Sequence, residues 1–218
     1  MRSLADFAQP GRQAETLTIL LPGALHQPED FMREGFVDAV RNRGIDMDLL
    51  LAGLLFDHVA DEQALPQLHA SLIEPSLEAG YRHIWLAGIS IGGYIAMAYA
   101  DRYPGAVDGL FLMAPYPGNR MTTGEIAAAG GILSWQPGNL AEDDTERRNW
   151  RWLQSHENSG IEVHLGYGAE DRFAPGHEMM AKALPAERVD CIAGGHDWPA
   201  WRDLWHRFLD RRFGGRDE

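Results

Sequence analysis

Short apolar runs alternate with longer amphipathic stretches along nearly the whole chain. The apolar runs have the length of buried strands and occupy residues 17–21, 47–51, 84–87, 110–113, 161–166 and 188–192. The stretches between them follow a helical pattern and predict helices over residues 30–43, 62–78, 92–102, 176–183 and 199–212. Continuous apolar strands separated by amphipathic helices indicate a parallel sheet that is covered by helices on both faces.

This pattern predicts a single α/β domain over residues 1–218, with a doubly wound, mostly parallel sheet of about six strands. The chain has 218 residues, of which 45% are hydrophobic, enough to bury a substantial core. Right-handed crossovers bring the carboxyl ends of parallel strands to one edge of the sheet, where ligands bind. We therefore look for functional residues directly after the predicted strands.

One interval, residues 116–158, interrupts the alternation. It contains glycines, prolines and helical fragments but no strand, and it is rich in tryptophan, with Trp135, Trp150 and Trp152. Long insertions in α/β folds often cover a binding site. One interpretation is a short helical lid with an apolar face over the pocket, and the other is a helical excursion with tryptophans packed on the core. The apolar pattern does not separate the two interpretations.

The charge balance bears on the kind of partner. The formal net charge is -13 and the isoelectric point is near 5.0, which argues against nucleic acid and anionic membrane surfaces and favours a small-molecule substrate. A local arginine can still bind an anionic group, and Arg120 is a candidate to meet a substrate carboxylate. The sequence does not indicate an oligomeric state.

The amino terminus and the single cysteine suggest a compartment. Residues 1–13 lack the apolar core of a signal peptide, and no apolar run approaches the length of a membrane span, so we expect a cytoplasmic protein. Cys191 excludes an intrachain disulfide and fits a reducing compartment. Because it lies in a strand-like run, we expect a buried, inert thiol.

The segment from Leu86 to Ala96 carries the strongest chemical signal. It places Ser90 in a Gly-x-Ser-x-Gly pattern, with an apolar strand before it and a helix of small, apolar residues after it. A serine on such a sharp turn is held above the sheet at a helix N-terminus, where free N–H groups favour developing negative charge. This context predicts that Ser90 is a nucleophile.

A serine hydroxyl needs a base and an orienting acid to become a good nucleophile. Enzymes with this motif and architecture order the three residues as serine, acid and histidine, on loops after successive strands. Asp171 follows the predicted strand 161–166, and His196 follows the predicted strand 188–192. All three residues are therefore expected at the same edge of the sheet.

At these residues the chain resembles the α/β-hydrolase superfamily, over roughly residues 17–213. The resemblance rests on the serine elbow, on Gly168-x-x-Asp171-x-x-x-Pro175, and on Gly194-Gly195-His196. It implies a Ser90–His196–Asp171 catalytic triad, in which His196 acts as general base and then as general acid. Glu170 is a rival acid, but the family spacing selects Asp171. Too few residues precede Leu17 for the two antiparallel strands that many members carry, so six parallel strands are expected.

The resemblance also points to an oxyanion hole built from backbone N–H groups. Ile91, directly after the nucleophile, is one expected donor. The other is Ala24 or Leu25, in the loop where family members commonly place His-Gly and this chain has Pro22-Gly23. For the substrate pocket we expect Tyr116, Trp135 and Trp198. His26 is interpreted as a loop histidine that hydrogen-bonds backbone groups, and Asp197 as a solvent-facing residue or a helix cap.

Metal and cofactor signals are absent from the sequence. His177-Glu178 begins like a zinc-protease helix, but Ala181 stands where the second histidine is required. No nucleotide-binding glycine pattern is complete, so we expect neither a cofactor nor a metal.

The triad and its setting predict a serine hydrolase of the carboxylesterase or thioesterase type that forms an acyl-serine intermediate. Two alternatives stay open at this point. One is an acyltransferase or lyase that uses the same triad, and the other is a non-catalytic ligand-binding member of the fold.

Overall fold

The computed structural model describes residues 1–53 and 63–214. Its centre is a seven-stranded sheet in the order β1-β3-β2-β4-β5-β6-β7. The strands are β1 (Ser3–Asp6), β2 (Thr16–Leu21), β3 (Met47–Ala52), β4 (His83–Ile89), β5 (Gly109–Met113), β6 (Glu162–Gly168) and β7 (Val189–Ile192).

The six predicted parallel strands are confirmed as β2 to β7, and all pairings among these six are parallel. The seventh strand, β1, was not predicted. It pairs antiparallel with β3, with Ser3 opposite Ala52. The buried carboxylate of Asp48 fixes the segment that follows β1, because it accepts hydrogen bonds from the backbone N–H groups of Ala8 at 2.8 Å and Ala14 at 3.0 Å.

The helices lie where the amphipathic pattern predicts them, with different bounds. They are α1 (Pro28–Arg33), α2 (Phe36–Arg41), α3 (Ala64–Leu68), α4 (Glu74–Glu78), α5 (Ile91–Arg102), α6 (Arg120–Ala128), α7 (Thr145–Gln154), α8 (Ala174–Ala181) and α9 (Trp198–Arg212). Gly35, at a φ of 78°, divides the helix predicted over 30–43 into α1 and α2. A π-helical turn, His69–Ile73, joins α3 to α4. Across residues 1–53 and 63–214, no helix is both long enough and apolar enough to cross a membrane.

The two faces of the sheet bury separate apolar layers. On one face, Leu112 of β5 belongs to a cluster with Ile95 and Tyr99 of α5. On the other face, Phe111 of β5 stacks on Phe208 of α9 at a centroid distance of 4.3 Å. Successive residues of one strand thus pack against different helices, which is the doubly wound arrangement expected from the sequence.

Residues 116–158 pack against α5. Asn149 of α7 donates its side-chain N–H to the carbonyl of Tyr94 at 3.0 Å, and Arg148 pairs with Asp101 at 2.6 Å. The indole N–H of Trp150 donates to the carbonyl of Pro117 at 2.7 Å, and that of Trp135 to the Glu125 carboxylate at 2.9 Å. Both tryptophans are buried in the same apolar cluster as α5.

Cys191 is exposed, so the prediction of a buried thiol was wrong. Strand β7 lies at the edge of the sheet and pairs only with β6 among the described strands. Its neighbours Asp190 and Ile192 face inward while Cys191 faces outward. The run looks apolar in the sequence, but only one face of this edge strand is covered.

His177 of α8 is a buried polar residue close to the carboxyl ends of the strands. Its Nε2 lies 2.8 Å from the carbonyl of Pro115, and its Nδ1 has no partner among the described residues. Burial would strip the imidazolium of its hydration and therefore lowers the pKa of His177 to about 4. The folded protein thus keeps this ring neutral.

This burial predicts an acid-labile contribution to stability. Below a pH of about 6.5 the unfolded chain protonates this histidine while the folded protein does not, so acid shifts the equilibrium toward the unfolded state. The loss should approach about 3 kcal/mol as the pH falls to about 4. His177→Gln can still donate to Pro115 but does not titrate, so its unfolding free energy should fall less over this range. Urea denaturation at a series of pH values measures the difference, with the exposed His83→Gln as control. Equal pH dependence in wild type and His177→Gln would contradict the assignment.

The packing of Trp135 predicts a stability effect. Trp135→Ala removes a buried indole and leaves the Glu125 carboxylate without its N–H donor, so we expect a loss of about 3–5 kcal/mol in unfolding free energy. Thermal and urea melts measure this loss. A variant that melts like the wild type would show that the indole contributes little to the core.

Candidate active site

Ser90 occupies a strained turn between β4 and α5. Its φ is 52°, a left-handed value that is uncommon outside glycine. Three backbone hydrogen bonds hold the turn: the Ser90 N–H donates to the Met113 carbonyl at 2.9 Å, and the Ser90 carbonyl accepts from Tyr94 at 3.1 Å and Tyr116 at 2.9 Å. The hydroxyl is thereby fixed at the carboxyl edge of the sheet.

The glycines around Ser90 are required by close backbone approaches. A Cβ on Gly88 would collide with the backbone of Gly92 and Gly93, and a Cβ on Gly92 would collide with the carbonyl of Leu21. A Cβ on Gly93 would lie 2.9 Å from the Cβ of Pro115. Helix α5 can therefore begin this close to β2 and β4 only because these positions lack side chains.

The structure brings the three residues of the predicted triad together. His196 Nε2 lies 2.9 Å from Ser90 Oγ, and His196 Nδ1 lies 2.6 Å from Asp171 Oδ2. With a proton on Nδ1 donated to Asp171, Nε2 is free to accept the hydroxyl proton of Ser90. The Asp171 side chain is fully buried, and the His196 side chain is 14% exposed. This geometry is suited to nucleophilic catalysis by a serine.

Asp171 is held in its ionised form. Its burial acts to raise the pKa, but hydrogen bonds from His196 and from the Phe173 N–H, at 2.8 Å, outweigh burial, and the pKa is lowered. A carboxylate in this state can orient the imidazole and stabilise the imidazolium that forms when His196 takes a proton.

The loops that carry Asp171 and His196 are joined to each other. The Glu170 N–H donates to the Gly194 carbonyl at 3.0 Å, and the Glu170 carboxylate accepts from the Gly194 N–H. A Cβ on Gly168 would collide with the Gly194 carbonyl, so the two loops lie in close contact. Glu170 thus connects the loops and does not bond His196.

The expected oxyanion donors lie on both sides of Ser90. Ile91 is the first residue of α5, and Ala24 borders the cavity at Ser90. Leu25 adopts a left-handed φ of 67°, and the residue is 90% exposed. Within the described chain, neither Ala24 nor Leu25 donates its backbone N–H to a protein acceptor. Of these two residues, Ala24 lines the cavity and Leu25 does not.

A cavity of about 340 Å³ opens at Ser90. It is lined by Gly23, Ala24, His26, Ser90, Arg172, His196, Asp197, Trp198 and Trp201. Of the aromatic residues expected in the pocket, Trp198 lines this cavity, but Tyr116 and Trp135 do not. Tyr116 packs against Phe173 at a centroid distance of 5.6 Å, and Trp135 is buried against α5. The cavity wall contains no residue of 116–158, so this segment does not form its roof.

The sequence analysis missed two lining residues and misjudged a third. Trp201 follows Trp198 by three positions on α9, a spacing that places both on one helix face. Arg172 was overlooked beside Asp171, and Arg120, the expected cation, does not line the cavity. His26 reaches the cavity, where its ring lies 4.9 Å from that of Trp198, and burial lowers its pKa. Asp197 caps α9, as predicted, by accepting the Ala200 N–H at 3.2 Å.

The side chains that could bind a metal are dispersed. In the described parts of the chain, no three histidine, cysteine, aspartate or glutamate residues cluster closely enough to hold a metal ion.

Comparisons with known proteins agree with this architecture. The family model described as "alpha/beta hydrolase fold" matches residues 77–156, which include Ser90 and α5. No curated protein matches the sequence significantly.

Solved structures are similar over nearly the whole chain at low sequence identity. Est1E from Butyrivibrio proteoclasticus is 18% identical, with a TM-score of 0.66 over 96% of this chain and 93% of its own. A ferulic acid esterase is 14% identical, with a TM-score of 0.65 over 95% of this chain and 96% of its own. The fluorophosphonate-binding serine hydrolase F of Staphylococcus aureus is 12% identical, with a TM-score of 0.58 over 92% of this chain and 85% of its own.

The family match and these structural similarities indicate the same fold as the sheet order and the serine elbow. They confirm the resemblance on which the sequence analysis relied: the chain has the α/β-hydrolase fold.

Proposed function

We propose that this protein is a serine hydrolase that cleaves a small to medium carboxylic ester or thioester through an acyl-serine intermediate. The observation that carries the proposal is the unbroken hydrogen-bond chain from Asp171 through His196 to Ser90, which ends in an open cavity. A hydroxyl in contact with an oriented imidazole is the arrangement that acyl transfer to serine needs.

In the first half of the reaction His196 Nε2 takes the proton of the Ser90 hydroxyl while Oγ attacks the acyl carbon. The resulting imidazolium is stabilised by the ionised Asp171. His196 then gives the proton to the leaving alkoxide or thiolate, and the bond from the acyl carbon to the leaving atom breaks. In the second half, water loses a proton to His196 and attacks the acyl carbon. His196 then returns this proton to Oγ as the bond between the acyl carbon and Oγ breaks, which releases the acid and restores the Ser90 hydroxyl.

The negative charge that develops on the carbonyl oxygen needs donors. The N–H of Ile91 and an N–H of Ala24 or Leu25 would supply two, and the N-terminus of α5 adds a favourable dipole. The start of α5 is fixed before the substrate binds, since Gly88 and Gly92 pack it closely against β4 and against the end of β2. Such preorganised donors lower the barrier because they need not reorient during the reaction.

The cavity and the comparisons support an ester-sized substrate. A volume of about 340 Å³ is at the small end of ligand sites, and its walls include the rings of Trp198, Trp201 and His26. One solved structure similar to this chain is Est1E with ferulic acid bound. The similarity favours aromatic or short acyl esters as the first compounds to test.

The first test concerns the nucleophile. Ser90→Ala should fold normally and lose about 10³–10⁶ in turnover, because no acyl-enzyme can form. A fluorophosphonate probe should label the wild type and not the variant, and peptide mapping should place the adduct on Ser90. Ser134→Ala, which removes an exposed serine, is the matched control and should be labelled like the wild type. An adduct on another residue, or full turnover by Ser90→Ala, would contradict the proposal.

Product analysis on the same preparations distinguishes hydrolysis from acyl transfer. Release of one free acid per ester consumed, with no acylated acceptor when alcohols or thiols are added, supports a hydrolase. A predominant acylated acceptor would show that the triad serves a transferase.

The second test concerns the acid. Asp171→Asn should keep the fold but reduce kcat by about 10⁴, because an amide favours the wrong imidazole tautomer. The adjacent Glu170→Gln should retain most activity, since the glutamine oxygen can still accept the Gly194 N–H. Because the pKa of Asp171 is lowered, the wild type should not lose this carboxylate's charge until the pH falls below about 3.8. A large loss in Glu170→Gln with a harmless Asp171→Asn would reverse the assignment.

A further inference from the structure

Among the described residues, the cavity at Ser90 contains one arginine, and that arginine has no carboxylate partner within the same part of the chain. Arg172 lies in the wall of the cavity together with Ser90 and His196. Most arginines in the described ranges have a carboxylate oxygen within 4.0 Å, and the exceptions are Arg120, Arg151, Arg172 and Arg188. Of these four, Arg172 alone lines the cavity at Ser90.

An aromatic side chain holds Arg172 near the reacting groups. The Arg172 guanidinium carbon lies 4.7 Å from the centre of the Phe173 ring, within the range of a cation–π contact. The Phe173 ring in turn meets the His196 ring edge-on at a centroid distance of 5.4 Å. The positive charge of Arg172 therefore lies close to the proposed base. The guanidinium N–H groups make no hydrogen bond to the described protein.

Neither of the nearby carboxylates, Asp171 and Asp197, lies within 4.0 Å of the Arg172 guanidinium. Asp171 is buried and bonded to His196 and Phe173, and Asp197 caps α9. Burial lowers the pKa of His26, so this ring is kept neutral and adds no second positive charge. The cavity therefore combines aromatic walls with a single cation that is free to pair with a ligand.

The negative net charge of the protein contrasts with the arginine in the cavity. A net charge of -13 repels anionic ligands at long range. Screening limits that repulsion to about 8–10 Å at physiological salt, so an arginine inside the cavity dominates once the ligand is bound. A planar guanidinium pairs with a carboxylate through two parallel N–H donors.

We propose that Arg172 determines specificity by binding a free carboxylate of the substrate, so that the enzyme prefers esters that carry such a group over neutral esters of the same shape. The inference rests on the proposed hydrolase function and assigns its substrate class: the monoester of a dicarboxylic acid, or an ester of a hydroxy acid.

Matched ester pairs test the inference through turnover. The first pair is 4-nitrophenyl hydrogen adipate, which carries a free carboxylate, and the neutral methyl 4-nitrophenyl adipate. The second pair is 3-(butyryloxy)phenylacetic acid, which also carries a free carboxylate, and its neutral methyl ester. The wild type should show about a tenfold higher kcat/KM for the charged member of at least one pair, after subtraction of spontaneous hydrolysis. Arg172→Gln should abolish this preference, so that the charged and the neutral member of each pair have similar kcat/KM values. Arg172→Lys should retain part of the preference, and added salt should weaken it.

The control variant is Arg120→Gln, which removes another exposed arginine that has no carboxylate partner among the described residues and lies outside the cavity. It should keep the wild-type preference, because it changes the net charge by the same amount without changing the cavity. An equal loss in Arg120→Gln and Arg172→Gln would show that only the overall charge matters. No preference in either pair, or a preference that survives Arg172→Gln, would overturn the inference and leave the proposed hydrolase intact.

A binding measurement tests the same contact without turnover. Trp198 and Trp201 line the cavity, so 3-hydroxyphenylacetate should change tryptophan fluorescence on binding, and its methyl ester should bind about tenfold more weakly. Arg172→Gln should bind both compounds equally. If no ester is hydrolysed but this discrimination is present, the proposed hydrolase fails and the carboxylate site stands. If wild type and Arg172→Gln bind the two compounds alike, the carboxylate site is wrong whatever the outcome for hydrolysis.

Discussion

The close backbone contact at Gly88, Gly92 and Gly93 is the constraint on which the candidate site depends. At these positions a side chain would collide with the elbow itself, with the Leu21 carbonyl or with Pro115. The absence of side chains lets α5 start directly above the sheet, and this start forces Ser90 into its left-handed conformation. The strain is sustained by the hydrogen bonds to Met113, Tyr94 and Tyr116, which belong to three different parts of the fold.

The second constraint is the parallel register of β4, β5, β6 and β7. Pairing of Ile89 with Met113, Met113 with Gly166, and Gly168 with Ile192 makes these strands end at one level. The loops that follow them then need only a few residues to bring Asp171 and His196 to Ser90. Glu170 and Gly194 join two of these loops directly, so contacts that do not involve Ser90 hold the loops of Asp171 and His196 together.

The sequence predicts those features that arise from local chemistry. Central strands are apolar on both faces, and the glycines and triad residues stand in fixed order after strands, so the six parallel strands and the meeting of Ser90, Asp171 and His196 follow from pattern. Features that depend on contacts between distant residues could not be predicted from the sequence. Strand β1 is short and half polar, and the segment after it is anchored by Asp48, which lies more than thirty residues away. The exposure of Cys191 depends on β7 being an edge strand. An apolar pattern also cannot say which surface Trp135 packs against.

The same dependence on the fold explains why the sequence did not identify Arg172 as a residue of the cavity. Sequence spacing places Arg172 next to Asp171, but adjacent residues of a loop point in different directions, and only the fold shows that one is buried against His196 while the other faces the cavity. The different positions of Asp171 and Arg172 agree with the roles proposed for them. A carboxylate that must stay ionised and oriented is shielded from the substrate, and a cation without an internal partner is left where a substrate can reach it. Phe173 connects the two, because its N–H bonds the Asp171 carboxylate and its ring contacts both Arg172 and His196. The proposed orientation of the base and the proposed selection of the substrate therefore both depend on one short loop after β6.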